Sequence, residues 1–166
     1  MTASDFSELT ERSVELGPLK RDPAERDSSQ NWQLARDEQG VAWLLMDKRD
    51  SSVNVLSEDV LTELDQLLDV LQRNLPRALV VRSIKPGGFC AGADISEFER
   101  AEDQQQVQEK LRDAHAVAQK LADLPCPTIA VVHGQTLGGG LELALCCDYR
   151  LAISGAVLGT PEVARR

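Results

Sequence analysis

Apolar positions along the chain fall into two periods, and the elements follow from them. Trp32 and Leu34 are spaced two apart, and VAWLLM, residues 41–46, is an unbroken apolar run; the DEQG between them supplies a turn, so the pattern predicts two short strands in a hairpin. The loop KRDSSVN follows. SEDVLTELDQLLDVLQRN then changes period: Val60, Leu64, Leu67, Leu68 and Leu71 recur at helical spacing. Ser57 stands where an N-cap belongs, and Glu58 and Asp59 occupy the first turn, where the helix dipole favours acids. Pro76 marks the exit. RALVVRS is a β-branched run and reads as a strand, with the loop KPGGFCAGAD after it. A second helix is predicted over 104–124, with Val107, Leu111, Ala114, Ala118 and Leu121 forming one apolar stripe and His115 beside it at the surface or boundary. Pro125 and Pro127 bracket Cys126 and stop that helix. PTIAVVHG is a further buried strand, three glycines lead into a helix GLELALCCD, YRLAIS is a strand, and residues 156–159 are extended before TPEVARR.

The resulting order, β, β, α, β, α, β, α, β, predicts an α/β fold with parallel or mixed pairing and right-handed crossovers. Ligands in such sheets gather outside the carboxyl ends of strands. The glycine-rich loops 87–93 and 138–140 both follow strands, so they are expected at the same end of the sheet. Residues 1–30 do not share this patterning. GPLKRDPAERDSSQ carries two prolines among many charges, so 1–30 is expected to be a disordered acidic extension, with a short helix over 6–16, and the ordered domain to occupy 31–166.

Composition narrows the function classes. A chain of 166 residues suffices for one domain with a core. Its net charge of −9 opposes binding to nucleic acid or anionic membranes, and aromatics at 4 % leave little for base stacking. The opening MTASDFSELTERSVELG lacks a basic segment followed by an apolar one, and no apolar run approaches the roughly 20 residues of a membrane span. No secretory leader or membrane span is therefore expected, and the protein is expected in the cytoplasm. Cys90, Cys126, Cys146 and Cys147 form no C-x-x-C pair, and His115 and His133 fit no zinc spacing, so no metal site is expected. Cys146 and Cys147 lie in an apolar run and read as buried thiols, which suits a reducing compartment.

Two stretches carry candidate chemistry. In GGFCAGAD, Gly87, Gly88 and Gly92 free the backbone for close ligand approach, and the Ala93 amide could point outward as Asp94 begins a turn. A plain strand-to-helix loop would read the same way. In GGGLE, glycines between a strand and a helix leave free N–H groups that suit an anion or an oxygen gaining charge, with Glu142 close by. Glu142 is equally readable as a first-turn acid complementing the dipole. No G-K-[ST] follows these glycines, the third glycine of G-x-G-x-x-G is missing, and Ser154 in AISGA lacks the glycine of a nucleophile elbow. Glu162, just after Pro161 in GTPEV, taken alone is a surface loop residue. Together, two loops could each donate one amide to a single oxygen while two glutamates flank a reacting carbon pair, an arrangement suited to proton transfer beside a carbonyl.

FCAGADISEF, then HGQTLGGGLELALCCDYRLA, then LGTPEV, in that order, resemble the crotonase (enoyl-CoA hydratase/isomerase) superfamily, from about Trp32 to about Val163. SSVNVL is similar to the family's early loop and helix start. The acidic helix and RALVVRS…GGFCAGADI are most similar to the hydratase region of the fatty-acid oxidation complex alpha subunit. The resemblance implies a partial crotonase-like ββα superhelix. It implies an oxyanion hole from the amides of Ala93 and Gly139, catalytic glutamates Glu142 and Glu162, and contacts to the CoA thioester from Cys90, Ala91, Gly92, Ala93, Asp94, Ile95, Gly138 and Gly139. The implied reaction is hydration of an enoyl-CoA in fatty-acid β-oxidation without metal or redox cofactor; NAD would enter only with a dehydrogenase region in a longer parent. Alternatives are an enoyl-CoA isomerase, an acyl-CoA hydrolase, or an inactive acyl-CoA-binding fragment. The family further implies a parent that is a homo-oligomer or a complex with a thiolase subunit. Family domains continue for roughly another hundred residues past TPEV, so a C-terminally truncated domain is expected.

Overall fold

A computed structural model of the chain describes residues 20–21, 31–94 and 104–161. The helix expected over 6–16, and Ile95 and Glu162, lie outside the described residues. Twelve elements are described. They are β1 (Lys20–Arg21), β2 (Trp32–Arg36), β3 (Val41–Met46), α1 (Glu58–Arg73), β4 (Ala78–Ser83), β5 (Gly88–Cys90), α2 (Gln104–Ala122), β6 (Thr128–Val132), β7 (Gln135–Leu137), α3 (Gly139–Leu145), β8 (Tyr149–Ala152) and β9 (Val157–Gly159). Lys20 and Arg21 fall within the segment expected to be disordered, yet they pair with Arg36 and Ala35.

Two sheets organise the molecule. The larger has the order β1-β2-β3-β4-β6-β8, and the smaller the order β5-β7-β9. The hairpin β2–β3 is antiparallel, as its turn predicts, whereas β3 with β4, β4 with β6 and β6 with β8 pair in parallel. The small sheet is parallel throughout. Each coil of the chain thus lays one long strand in the large sheet and one short strand in the small sheet: β4 then β5, β6 then β7, β8 then β9. Helices α2 and α3 follow the first and second coils.

Alternation along the long strands sets the core. Ala42, Leu44, Met46, Leu79, Val81, Ala130 and Val132 join Val60, Leu64, Leu67, Leu68 and Leu71 of α1 in one buried cluster. Trp43, Leu45 and Val80, displaced by one position, form a second cluster with Ala35, because successive strand side chains point to opposite faces. Helix α1 begins at Ser57 as its sequence predicts, but Ser57 makes no side-chain cap bond. Its hydroxyl instead accepts from Lys48 Nζ at 2.6 Å and donates to the Asp59 carboxylate.

Helices α1 and α2 lie side by side. Lys110 Nζ meets Glu58 Oε2 at 2.6 Å, and Lys120 Nζ meets Asp65 Oδ1 at 2.7 Å and Asp69 Oδ1 at 2.5 Å, so contacts advance together along both. The stripe predicted on α2 is only partly buried. Of its residues only Leu121 is buried and Leu111 is 43 % exposed, while Val117, outside the predicted stripe, is buried. His115 is exposed, in keeping with a surface position. Asp148 closes α3 onto the start of β6, its Oδ2 accepting from Thr128 N at 2.8 Å and Thr128 Oγ1 at 3.0 Å.

Candidate functional site

Strands β5 and β7 are short because each ends on a glycine turn, and their pairing brings those turns together. Cys90 is the partner of Thr136 in the small sheet, so the chain leaves both strands at one level. A methyl built on Gly92 would lie 3.6 Å from Gly139 N and 3.7 Å from Gly138 Cα. The loops 87–93 and 138–140 are therefore adjacent, as their common position after strands predicts.

The Ala93 amide is aimed by its neighbours. Residues 54–56 run alongside 91–94 as an irregular strap: Ala91 N–H donates to Asn54 O at 2.9 Å, Leu56 N–H to Gly92 O at 2.8 Å, and Asp94 N–H to Leu56 O at 3.1 Å. Leu56 and Ala93 form an isolated parallel bridge. In a parallel bridge alternate peptide groups face alternate sides. Since Gly92 O and Asp94 N face Leu56, the Ala93 N–H is turned the other way, toward α3. Among the described residues neither the Ala93 nor the Gly139 N–H meets a protein acceptor.

The glycine run has separate physical causes at each position. Gly138 has φ 49° and ψ −127°, a conformation that side-chain-bearing residues avoid, and it turns the chain from β7 into α3. A methyl on Gly140 would stand 2.5 Å from Cys90 O and 2.7 Å from Cys90 Cβ, so α3 can rest on β5 only with glycine there. Gly139 faces the opening: its absent methyl would lie 3.7 Å from Ala93 N, 4.0 Å from Glu142 Oε2 and 3.3 Å from Leu56 Cδ1. The Ala93 amide and the Glu142 carboxylate thus both come within 4.0 Å of one point beside Gly139. Helix α3 has only seven residues, so individual groups, rather than a long dipole, mark this point.

The sequence-predicted residues divide as follows. Ala93, Gly138, Gly139 and Glu142 are brought together, with Ala91, Gly92 and Asp94 in the strap-bound loop. Cys90 lies behind it, buried; burial pushes its thiol up to about 11, against a weak bond to Gly92 O. Of the two thiols expected to be buried, Cys147 is, and burial raises its thiol to about 12, whereas Cys146, near the end of the short helix α3, is only half-buried. Burial lowers the His133 imidazole, Nε2 of which lies 2.8 Å from Lys85 O.

Sequence reasoning assigned no role to Asn54. It is 1 % exposed. Its Nδ2 donates to Ser83 Oγ at 2.8 Å, Phe89 O at 3.1 Å and Met46 O at 3.3 Å, and its Oδ1 accepts from Lys48 N at 2.9 Å. The available signal was an Asn set between Val53 and Val55 in a loop between a strand and a helix, a place where burial demands full hydrogen bonding.

Comparison with known proteins decides the family. The sequence matches the enoyl-CoA hydratase/isomerase family over residues 36–164. The chain belongs to that family. It is 39 % identical over 141 residues to the fatty acid oxidation complex subunit alpha of Vibrio cholerae, covering 82 % of this chain and 20 % of that protein. It is 43 % identical over 110 residues to the mitochondrial methylglutaconyl-CoA hydratase of Rattus norvegicus, covering 66 % of this chain and 35 % of the relative. Among solved structures, DspI of Pseudomonas aeruginosa superposes with a TM-score of 0.77 at 30 % identity, over 86 % of this chain and 57 % of that one. An enoyl-CoA hydratase from Bacillus anthracis superposes with a TM-score of 0.75 at 31 % identity, over 81 % and 52 %. This member of the enoyl-CoA hydratase/isomerase family therefore spans about a fifth of the Vibrio cholerae relative and about half of these structural neighbours. Its fold is the crotonase fold, and the three ordered motifs that resembled the family lie within the matched region or at its end. No helix among the described residues is long and apolar enough to cross a membrane.

Proposed function

We propose that the chain carries the thioester-activating part of an enoyl-CoA hydratase, which adds water across the 2,3 double bond of an enoyl-CoA to give a 3-hydroxyacyl-CoA. The observation that carries this reading is the closeness of the Ala93 amide and the Glu142 carboxylate to Gly139 at the start of α3. The thioester oxygen accepts from the two amides. As the water oxygen bonds to C3, the π electrons of the double bond move toward C2 and the carbonyl, and the oxygen gains negative charge. Preformed amide donors stabilise that charge without having to reorganise. Of the two glutamates of the family pattern, Glu142 and Glu162, one takes the proton of the water and the other gives a proton to C2. The CoA thioester is contacted along 90–95 and at Gly138 and Gly139.

The reaction needs neither metal nor redox cofactor, because no electrons are transferred and the amides supply the electrophilic stabilisation. We assign the protein to the cytoplasm and to an oligomeric assembly, homomeric or with a thiolase subunit. The name of the Vibrio cholerae relative, a subunit of a complex, supports the second form. The reading is tested with crotonyl-CoA, following loss of the enoyl absorbance. Glu142→Gln is expected to lower kcat by about 10²–10⁴-fold, the range for a positioned proton-transfer group. Turnover unchanged in Glu142→Gln would overturn it.

A further inference from the structure

We propose that Asn54 is a positioning residue that aims the Ala93 N–H, through the strap it anchors. The proposal rests on the reading above only for what that amide does; how the amide is held is independent of it.

Three parts of the scaffold meet at this side chain. Met46 O ends β3, Ser83 Oγ ends β4, and Phe89 O lies inside β5; Asn54 Nδ2 donates to all three, sharing two hydrogens among them. Asn54 Oδ1 fixes the loop after β3 through Lys48 N. The Asn54 carbonyl then accepts the Ala91 N–H at 2.9 Å, and two residues on Leu56 holds Gly92 O and Asp94 N. Each bond in this sequence faces the strap. They leave the Ala93 peptide as the one whose N–H faces α3. The large sheet is thereby tied to an amide of the small sheet's loop by one buried polar side chain. Ser83 stiffens the anchor further, since its Oγ also accepts Lys85 N–H at 2.9 Å. An apolar residue at position 54 would leave Met46 O, Phe89 O and Lys48 N without these partners, and the strap could shift relative to β5.

The test is amide NMR on the ligand-free chain, joined to kinetics on crotonyl-CoA, for Asn54→Ala and the milder Ser83→Ala. In Asn54→Ala the Ala93 amide resonance is expected to move and to exchange faster with solvent, while the amides of Gly139 and β6 keep their positions. Kinetically, kcat should fall about tenfold or more with KM within about threefold, the pattern of a lost transition-state interaction. Ser83→Ala should shift the same resonance less and lower kcat less. An Ala93 resonance in its original place in either folded variant would overturn the proposal. If Asn54→Ala loses its dispersed spectrum, Ser83→Ala decides the matter. A wild-type protein that fails to hydrate crotonyl-CoA would sink the hydratase reading alone, because the Ala93 resonance is read without substrate.

Discussion

A methyl added at Gly140 would meet backbone atoms of Cys90, at 2.5 Å from O and 3.0 Å from C, and backbone cannot rotate away as a side chain can. Gly140→Ala is therefore expected to push α3 off β5 and to destabilise the fold by about 1–3 kcal/mol, the usual range for overpacking. Gly87→Ala is the control: nothing lies within 4 Å of the added methyl, and the change should stay within about 0.5 kcal/mol. Urea midpoints of the two variants check both. At this scale the sequence singles out the glycine run but not the contacts that require each glycine. LGGGLE shows glycines beside a glutamate, but only the approach of Cys90 explains Gly140, and only the turn out of β7 explains Gly138. Asn54 was harder still, because its partners Met46, Ser83 and Phe89 are spread over three strands.

Helix α2 packs unevenly along its length. Leu121 is fully buried, whereas Leu111, ten residues earlier and on the same apolar stripe, is 43 % exposed. Leu121→Ala should cost about 2–5 kcal/mol, and Leu111→Ala about 0.5 kcal/mol or less. Thermal or urea unfolding of the two variants measures the difference, and equal losses would contradict the packing. Periodicity revealed the helix and its stripe but could not say which turns of the stripe find a partner. The long elements were legible for the same reason: α1 repeats its apolar face over four turns, and VAWLLM, RALVVRS and PTIAVV are long enough for a strand pattern to register. Strands β5 and β7 have three residues each, too few to alternate visibly. From the sequence, β5 falls inside the loop KPGGFCAGAD and 135–137 has no assigned element, and the pairing of both strands with each other and with β9 is non-local.

Across the whole molecule, both sheets end on strands with an open side. Strand β8 pairs only with β6, and β9 only with β7, among the described residues. Tyr149, Leu151 and Val157 on these strands are 63 %, 60 % and 57 % exposed. Apolar edges with free backbone groups promote association. The 166-residue chain is therefore expected to self-associate as its concentration rises and to bind a hydrophobic dye; the double variant Leu151→Lys, Val157→Lys should reduce both. Light scattering and dye fluorescence test this, and a monodisperse monomer that binds no dye would refute it. The pairing of Cys90 with Thr136 has a different consequence. Ala93 and Gly139 each stand three residues beyond this pair, so backbone pairing brings the two loops side by side. Main-chain pairing thus sets how near the two loops come, while the Asn54 side chain holds the strap beside them. Lengthening the connection through α2 would leave that approach unchanged. Under the proposed reading, such a site would hold what every acyl thioester shares, and the choice among acyl groups would fall to walls elsewhere.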